Sequence, residues 1–351
     1  MTHSTPGPRA LGMRVARLTR PAAALATLVA AVAIAGCGSS SHHSSSGATG
    51  TNVSDSGSAK GVTLRIGDQA GTGAEALLQA AGLIHKLPFK VKWADFTSGP
   101  PMLTAISSGS LDVGGVGNAP PVFAAAGGAK ISIVGAFANE NKSAALLVPK
   151  GSSITSVSQL KGKSIAVAQG SSADYHLLAT LNKAGINVKD VHLDYLQPAQ
   201  GLAALESGSV DAWDIWSPYI EEAVIQKGAR ILASGDGIPG NDSYVVASQS
   251  AVSNPTVAKE IKEYLKLLYQ AHDWANSHPE AWGKTWAAAT GLPQSIMNKA
   301  AADDIQKPVA VNATITANEQ GLVNVFAKAG LIPKQYSFAP YVSTAFNSAV
   351  Q

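Results

Sequence analysis

The feature that most constrains the fold of this chain is the alternation of short β-branched runs with Ala- and Leu-rich stretches between Gly61 and Trp216. Strands that alternate with helices predict parallel sheets covered by helices on both faces. Beyond Asn254 the pattern becomes mostly helical. We therefore expect an α/β fold. The expected strands are 63–67, 89–96, 111–116, 164–168, 191–196 and 210–216, and the expected helices are 74–87, 100–107, 173–184 and 199–206.

Two segments of the chain superimpose at a shift of 99 residues. Ser108-Gly109-Ser110-Leu111-Asp112 falls on Ser207-Gly208-Ser209-Val210-Asp211, and apolar positions match on both sides of this turn. A helix–turn–strand joint with glycine at the helix end can recur by chance. The matching flanks favour instead two α/β lobes of similar build that face each other across a cleft.

Four strand ends run into helix starts that are rich in small, hydroxylic and amide residues, at 97–101, 117–121, 170–174 and 216–219. Such residues are favoured helix N-caps, and proline fits the first helical turn. Ligands of open α/β sheets lie beyond the carboxyl ends of the strands, and helix N-termini present N–H groups to anions. The corners therefore predict an oxyanion site, although any single corner could be a cap that binds nothing.

The N-cap candidates are Ser98, Asn118, Ser217 and one of Ser171 and Ser172. Tandem prolines at 100–101 and 120–121 carry no N–H, which limits the donors at two of the corners. By strand alternation Asp214 and Trp216 share one face, and Trp216 is placed to cover an apolar ligand tail. The candidate ligand-binding residues are Gln69, Ser98, Gly99, Pro100, Asn118, Ala119, Ser171, Ser172, Asp214 and Trp216.

The charge distribution narrows the classes of partner. The whole chain has a formal charge of +3, but four of its 26 basic residues and none of its 23 acidic residues precede residue 37. The remainder carries 22 basic and 23 acidic residues, a charge of −1, and has no basic run, which disfavours nucleic acid. Beyond Cys37 the only arginines are Arg65 and Arg230. A weakly basic oxyanion held by amides and hydroxyls therefore fits better than a phosphate ester held by an arginine clamp.

The first 36 residues are typical of an export signal. Four arginines precede an apolar run over 21–35, which is too short for a membrane-spanning helix. Ile34-Ala35-Gly36-Cys37 resembles a bacterial lipobox, whose cysteine receives a diacylglyceryl group, and Cys37 is the only cysteine of the chain. We expect a signal peptide over 1–36 and a lipidated Ser- and Gly-rich tether over 37–60. An ordinary signal peptide that ends near a cysteine is the alternative.

Five segments of the chain resemble the aliphatic-sulfonate branch of the ABC-transporter solute-binding proteins. They are Phe-Thr-Ser-Gly-Pro-Pro-Met-Leu at 96–103, Gly-Asn-Ala-Pro-Pro-Val-Phe-Ala at 117–124, Gln-Gly-Ser-Ser at 169–172, Gly-Ser-Val-Asp-Ala-Trp at 208–213 and Ile-Trp-Ser-Pro-Tyr at 215–219. The likeness extends over about 64–333 and is specific to the family when the segments are taken together.

The resemblance implies a type II periplasmic-binding-protein fold with two lobes, each a mostly parallel sheet flanked by helices. It places two crossovers near 144–149 and 244–248, a first lobe over 61–147 plus 245–351, and a second lobe over 148–244. It further implies a monomeric, lipid-anchored receptor on the outer face of the membrane. This receptor passes a small organic anion, an aliphatic sulfonate, to an ABC permease, and it needs no metal, cofactor or nucleic acid.

Departures from the family pattern keep other ligands open. Family members often carry Asp at the positions of Asn118 and Ser217 and His at that of Asp174, whereas Asp214 replaces a small apolar residue. Asp214 is thus a candidate partner for the amine of a taurine-like ligand. Nitrate, bicarbonate and thiamine-pyrimidine precursors remain alternatives. A thiamine-pyrimidine-synthase-like enzyme is the rival class, but its Cys-rich motif is absent from this sequence, as is the Gly-x-Ser-x-Gly motif of a serine hydrolase.

Overall fold

The computed structural model of the chain describes residues 62–69, 73–139, 143–238 and 242–350. The predicted signal peptide and tether, including Cys37, lie outside the described residues. The strands are β1 (Thr63–Gln69), β2 (Lys90–Phe96), β3 (Val113–Gly117), β4 (Ile131–Asn139), β5 (Ala144–Val148), β6 (Ser164–Val167), β7 (His192–Tyr195), β8 (Ala212–Trp216), β9 (Arg230–Ser234), β10 (Ser243–Ser248) and β11 (Gln306–Val309). The helices are α1 (Ala74–Ala80), α2 (Gly99–Ser107), α3 (Ala119–Ala126), α4 (Ser172–Lys183), α5 (Pro198–Ser207), α6 (Tyr219–Glu221), α7 (Gln249–Ser253), α8 (Pro255–Ser277), α9 (Pro279–Thr290), α10 (Gln294–Asp303) and α11 (Ala313–Ala329).

These strands form two mixed sheets. The first has the order β11-β4-β10-β3-β1-β2 and the second the order β7-β6-β8-β5-β9. Strand pairs β1–β2, β1–β3, β6–β7 and β6–β8 are parallel, whereas β10 and β5 run antiparallel to both of their neighbours. Most strands of each sheet therefore run in one direction, which confirms the predicted two-lobed α/β architecture.

The chain crosses between the sheets twice. It passes from β4 to β5 and returns from β9 to β10. The predicted lobe boundaries at 147/148 and 244/245 both fall inside strands. Because β5 pairs with β8 and β9, residues 144–147 belong to the second lobe; because β10 pairs with β3 and β4, residues 243–244 belong to the first. We call residues 62–69, 73–139 and 242–350 the first lobe and residues 143–238 the second lobe.

Element ends differ from the predictions where a turn interrupts the pattern. The helix predicted over 74–87 ends at Ala80, because Gly82 adopts a left-handed conformation with φ of 68°, and a short 3-10 turn follows at Ile84–Lys86. The edge strand β11 was not predicted. It contains Pro308, which is tolerated only at the edge of a sheet. Within the described residues no helix combines the length and the apolar character that membrane spanning requires.

An apolar contact also joins the lobes. Tyr175 on α4 of the second lobe belongs to a core cluster built mainly from α2, α3, α11 and the first sheet. Its ring lies edge-on to Phe326 with centroids 6.1 Å apart, and Phe326 in turn meets Phe123 at 4.7 Å. Burial of such rings contributes on the order of 2 kcal/mol each. In this structure the start of α4 therefore packs against the first lobe.

The two segments related by the 99-residue repeat make the same hydrogen bonds in the structure. Asp112 accepts the backbone N–H of Arg65 at 2.8 Å and returns its own N–H to the Arg65 carbonyl at 2.9 Å. Asp211 accepts the N–H of Ser164 at 3.0 Å and donates to the Ser164 carbonyl at 2.9 Å. In both lobes this exchange joins the turn before a strand to the start of the neighbouring strand. It also explains why β3 and β8 begin two residues after their predicted starts.

Asp112 and Asp211 differ in how strongly they stabilise the fold. Asp112 also binds the Arg65 guanidinium through both carboxylate oxygens and is nearly buried, whereas Asp211 makes a 3.3 Å ion pair with Lys163 and is 36% exposed. We expect Asp112→Ala to lower the free energy of unfolding by about 2–3 kcal/mol and Asp211→Ala by about 1 kcal/mol. Urea unfolding of both variants checks this, with Asp112→Asn, which keeps one acceptor oxygen, as the intermediate case. Equal losses in the two lobes would contradict the assignment.

Candidate functional site

A cavity lies between the two lobes at the carboxyl ends of the strands. Gln69, Gly117 and Trp216, the last residues of β1, β3 and β8, all line it. The first lobe also contributes Gly99 at the start of α2, and the second lobe contributes Ser172 at the start of α4. The site therefore occupies the position that the parallel strands of both sheets predict for a ligand.

The structure brings five of the ten sequence-predicted residues to this cavity and places five elsewhere. Those that line it are Gln69, Gly99, Ser171, Ser172 and Trp216. Those that do not are Ser98, Pro100, Asn118, Ala119 and Asp214. Four of this second group lie at the starts of α2 and α3, immediately beside the cavity. Asp214 lies behind it in the second lobe.

The starts of α2 and α3 are built from tandem prolines. An N-cap side chain normally bonds the N–H of the second or third helical residue, and both positions are proline in each helix. Asn118 therefore accepts the N–H of Ala119, the first helical residue, at 2.8 Å. Ser98 makes no bond to its own helix, and its hydroxyl donates to Gln197 at 2.9 Å. Both side chains are fully buried.

The start of α4 faces the first lobe. Ser171, its N-cap, donates its hydroxyl to the Ala168 carbonyl at 2.6 Å and accepts the Asp174 N–H at 3.4 Å. Ser172, the first helical residue, lies against Gly117 of the first lobe. A Cβ atom on Gly117 would be 2.5 Å from Ser172 Oγ and 3.0 Å from its Cβ. Glycine at 117 thus permits close approach of the lobes at the site, and the first N–H groups of α4, which have no partner within the helix, lie beside it.

Asp214 is engaged inside the second lobe. Its carboxylate is fully buried and contacts Nδ1 of His176 at 2.8 Å and 3.0 Å. Burial raises the pKa of Asp214, while the charge and hydrogen bond of His176 oppose this effect. The prediction that Asp214 meets a ligand amine is therefore not supported by its position. No hydrogen bond links His176 to Ser171 or Ser172 in the described part of the chain, so the residues of a serine hydrolase are not assembled.

Sequence reasoning missed most of the acidic and aromatic residues that line the cavity. Asp68, Asp242 and Asp304 all come from the first lobe. Burial raises the pKa of Asp68 to about 6, although the N–H groups of Gln69, Ala74 and Glu75 bind its carboxylate. The position of Asp68 at the end of β1 was the available signal. Tyr244, Tyr264 and His272 also line this side, on strands and helices that a sequence pattern does not bring together.

The cavity walls hold an uneven distribution of charge. Among the described residues that line it, none is Lys or Arg. Burial lowers the pKa of His272 to about 3, which keeps the imidazole neutral at neutral pH. The second-lobe side carries the start of α4 and the hydroxyls of Ser171, Ser172 and Ser217, while Ser243 and two tyrosines add hydroxyls on the first-lobe side. The carboxylates lie on the first-lobe side, so the two walls favour opposite ends of a polar ligand.

Asp174 provides a pH test of this geometry. Burial and, to a smaller degree, the charge of Asp214 raise its pKa to about 6, whereas the bond from the Gly170 N–H at 2.9 Å opposes the shift. Because the folded-state pKa exceeds the ordinary value of 3.8, the stabilising contribution of Asp174 is complete below about pH 4 and is lost as the pH rises through 6.

We expect Asp174→Asn to remove this dependence. The free energy of unfolding of the natural protein minus that of the variant should fall by up to roughly 3 kcal/mol between pH 4 and pH 7. Urea unfolding across this range measures the difference. Parallel pH profiles for the two proteins would show that Asp174 is not held in the buried position described.

Sequence and structure comparisons agree on the family. The NMT1-like family matches residues 58–293. A protein of Escherichia coli named for binding aliphatic sulfonates is 34% identical over 280 residues, covering 78% of this chain and 86% of its own. The solved structure of the alkanesulfonate-binding protein SsuA of Xanthomonas axonopodis pv. citri bound to MOPS is 32% identical with a TM-score of 0.76, covering 80% of this chain and 98% of its own. SsuA of Escherichia coli is 32% identical with a TM-score of 0.71, covering 80% of this chain and 92% of its own.

More distant structures share the fold alone. The desulfurization enzyme DSZB is 17% identical with a TM-score of 0.59, and nitrate-binding NrtA of Synechocystis is 14% identical with a TM-score of 0.68. The relatives above 30% identity are instead named as binding proteins, as the sequence resemblance implies. The two-lobed fold, the interlobe site and these matches together establish that the chain belongs to the NMT1-like family, alongside the aliphatic sulfonate-binding proteins.

Proposed function

We propose that this protein is the extracytoplasmic substrate-binding component of an ABC importer and that its interlobe cavity binds an aliphatic sulfonate. The observation that carries the proposal is the convergence of β1, β3 and β8 from both lobes on one cavity beside the start of α4. The relatives named for sulfonate binding support the ligand class. The bound ligand is then delivered to a membrane permease.

The lining suits a sulfonate better than a more basic anion. A sulfonate spreads one charge over three oxygens, so it can be held by several neutral donors without a cation. The start of α4 offers N–H groups and the hydroxyl of Ser172, and Gly99 on the opposite lobe offers the N–H that precedes two prolines. In this arrangement the oxyanion bridges both lobes and stabilises the closed form by its higher affinity for it.

The remainder of the cavity indicates what the ligand tail can be. Trp216 is partly exposed at the cavity, and its ring lies edge-on to that of Tyr219 with centroids 6.2 Å apart. This aromatic surface suits an apolar segment of the ligand. Beyond it the carboxylates of Asp68 and Asp242 favour hydrogen-bond donors or a positive charge on the far end of the ligand. These two residues therefore take over the role of amine partner that the sequence suggested for Asp214.

A panel of ligands tests the proposal. We expect ethanesulfonate, butanesulfonate or taurine to raise the melting temperature in proportion to the logarithm of its concentration, and calorimetry to give a Kd for it. Taurine and ethanesulfonate differ only in the ammonium group, so the ratio of their Kd values reports whether Asp68 and Asp242 bind that group. Nitrate, bicarbonate and a thiamine pyrimidine are the competing arms. Failure of every sulfonate to bind would refute the proposal.

A glycine substitution links binding to lobe closure in the same experiment. Gly117→Ala places a methyl group against Ser172 across the lobes and should raise the Kd roughly tenfold. Gly321→Ala on α11 is the matched control, because a Cβ there meets no atom within 4 Å. Unchanged affinity in Gly117→Ala would mean that the lobes do not close as described.

The cavity is proposed to bind without catalysing a reaction. Ser171 donates its hydroxyl to a backbone carbonyl, and the buried His176–Asp214 pair makes no hydrogen bond to it. A ligand should therefore be recovered unchanged after incubation with the protein.

We also propose that the exported protein is anchored to the outer face of the membrane by a lipid on Cys37. The support is the lipobox-like sequence before this residue, which is the only cysteine of the chain. Cys37→Ala should move the protein from the membrane fraction to the soluble exported fraction and abolish incorporation of an alkyne-labelled fatty acid, with no change in ligand affinity. Ser40→Ala, in the adjacent tether, should remain with the membrane. Retention of Cys37→Ala in the membrane fraction would rule out this anchor.

A further inference from the structure

Three side chains join the lobes without lining the cavity. Gln197 Oε1 in the second lobe accepts hydrogen bonds from Thr97 Oγ1 at 3.0 Å and from Ser98 Oγ at 2.9 Å, both in the first lobe. None of the three belongs to the cavity wall. Their contact is therefore a direct polar link between lobes, separate from the residues expected to hold the ligand.

The sequence leaves the Ser98 hydroxyl available for this link. Ser98 is the N-cap of α2, but the second and third helical residues, Pro100 and Pro101, carry no N–H for it to accept. A hydroxyl buried at this position needs another partner, because an unpaired buried polar group costs about 1–3 kcal/mol. The acceptor oxygen of Gln197 meets that need only when the lobes are together.

The link also lies far from the crossovers, where opening and closing of the lobes move the chain most. Thr97 and Ser98 directly follow β2, the outermost strand of the first sheet, and Gln197 follows β7, the outermost strand of the second. The crossovers lie on the other side of both sheets, at β4–β5 and β9–β10. A hinge motion about the crossovers separates β2 from β7 most, so opening must break these two hydrogen bonds.

The repeat adds an independent argument. Ser98 and Gln197 are 99 residues apart, the spacing that relates the two lobes, and each is the N-cap of the corresponding helix, α2 or α5. The two bonds therefore join matching helix starts of the two lobes. The contact is thus a feature of how the lobes are paired and does not arise from an accidental loop position.

We propose that Thr97, Ser98 and Gln197 form an interlobe latch, which stabilises the closed form and so sets ligand affinity without touching the ligand. The affinity part rests on the proposed function. A receptor whose binding-competent form is only partly populated binds more weakly by that fraction. Removing the latch therefore raises the Kd and leaves the ligand preference unchanged.

The test removes the donors and keeps Gln197, since Gln197 also takes part in a capping box with Gln200. The variant Thr97→Val/Ser98→Ala is compared with the natural side chains in full chains that carry Cys37→Ser and spin labels at Lys90→Cys and His192→Cys. These label sites are exposed at the starts of β2 and β7. Pulsed electron paramagnetic resonance measures the distance between lobes with and without ethanesulfonate, and calorimetry measures the Kd.

In the ligand-free variant we expect the distance between the spin labels to increase. We expect its Kd for ethanesulfonate to rise roughly five- to fifty-fold, because two neutral hydrogen bonds are lost. In a Gln197→Ala background the same double substitution should have almost no further effect, because the acceptor is already gone. If the double substitution and Gln197→Ala instead lower the affinity additively, the effect is a general structural defect and the proposal is overturned. Gln200→Ala, which removes only the bond from the Gln197 N–H to the Gln200 side chain, should leave distance and affinity unchanged.

Unchanged distances in the ligand-free variant would also overturn the latch. The distance measurement needs no ligand, so it tests the latch even if no sulfonate binds and the proposed function fails. A shift in distance with an unchanged Kd would overturn the claim that the latch sets affinity.

Discussion

The interlobe site depends on how backbone and side-chain polar groups are satisfied where strands run into helices. At the starts of α2 and α3 the tandem prolines remove the N–H groups that a cap would bind, and the glycine at 99 allows the two helices to approach closely. A Cβ on Gly99 would lie 2.7 Å from Pro120. The consequence is a corner with few donors of its own, in which Gly99 supplies an N–H beside the cavity and Ser98 turns to the opposite lobe.

Electrostatics in the cavity follow from this choice of donors. With no Lys or Arg among the described lining residues, an anion must be held by dipoles, which stabilise it only where they converge and water is excluded. Convergence requires that the start of α4 approach the first lobe, and Gly117 and the packing of Tyr175 on Phe326 permit this approach. Under the proposed function, anion binding therefore favours the closed form, because neither wall alone supplies enough donors.

The sequence predicted the architecture well because strand–helix alternation is a local pattern, and because the 99-residue repeat can be seen by aligning the sequence with itself. It placed the lobe boundaries inside β5 and β10, because an antiparallel strand that enters a new sheet has the same composition as one that continues the old sheet. It identified Ser172 and Trp216 at the cavity but could not show that Asp214 pairs with His176, since that depends on packing between α4 and β8. Asp242 and Tyr264 were missed because they reach the cavity only in three dimensions, whereas Asp68 had a signal in its position at the end of β1.

The repeat also places different side chains at equivalent positions of the two lobes. At equivalent N-cap positions the first lobe has Ser98, a short donor, and the second has Gln197, a longer side chain with an acceptor oxygen. Two identical side chains at these positions would have to supply both the donor and the acceptor of one hydrogen bond. Unequal side chains remove this restriction, and Thr97 then supplies a second donor to the same oxygen. The cavity is also asymmetric, because its lining carboxylates, Asp68, Asp242 and Asp304, all come from the first lobe and the start of α4 comes from the second, so the two ends of a ligand meet different groups.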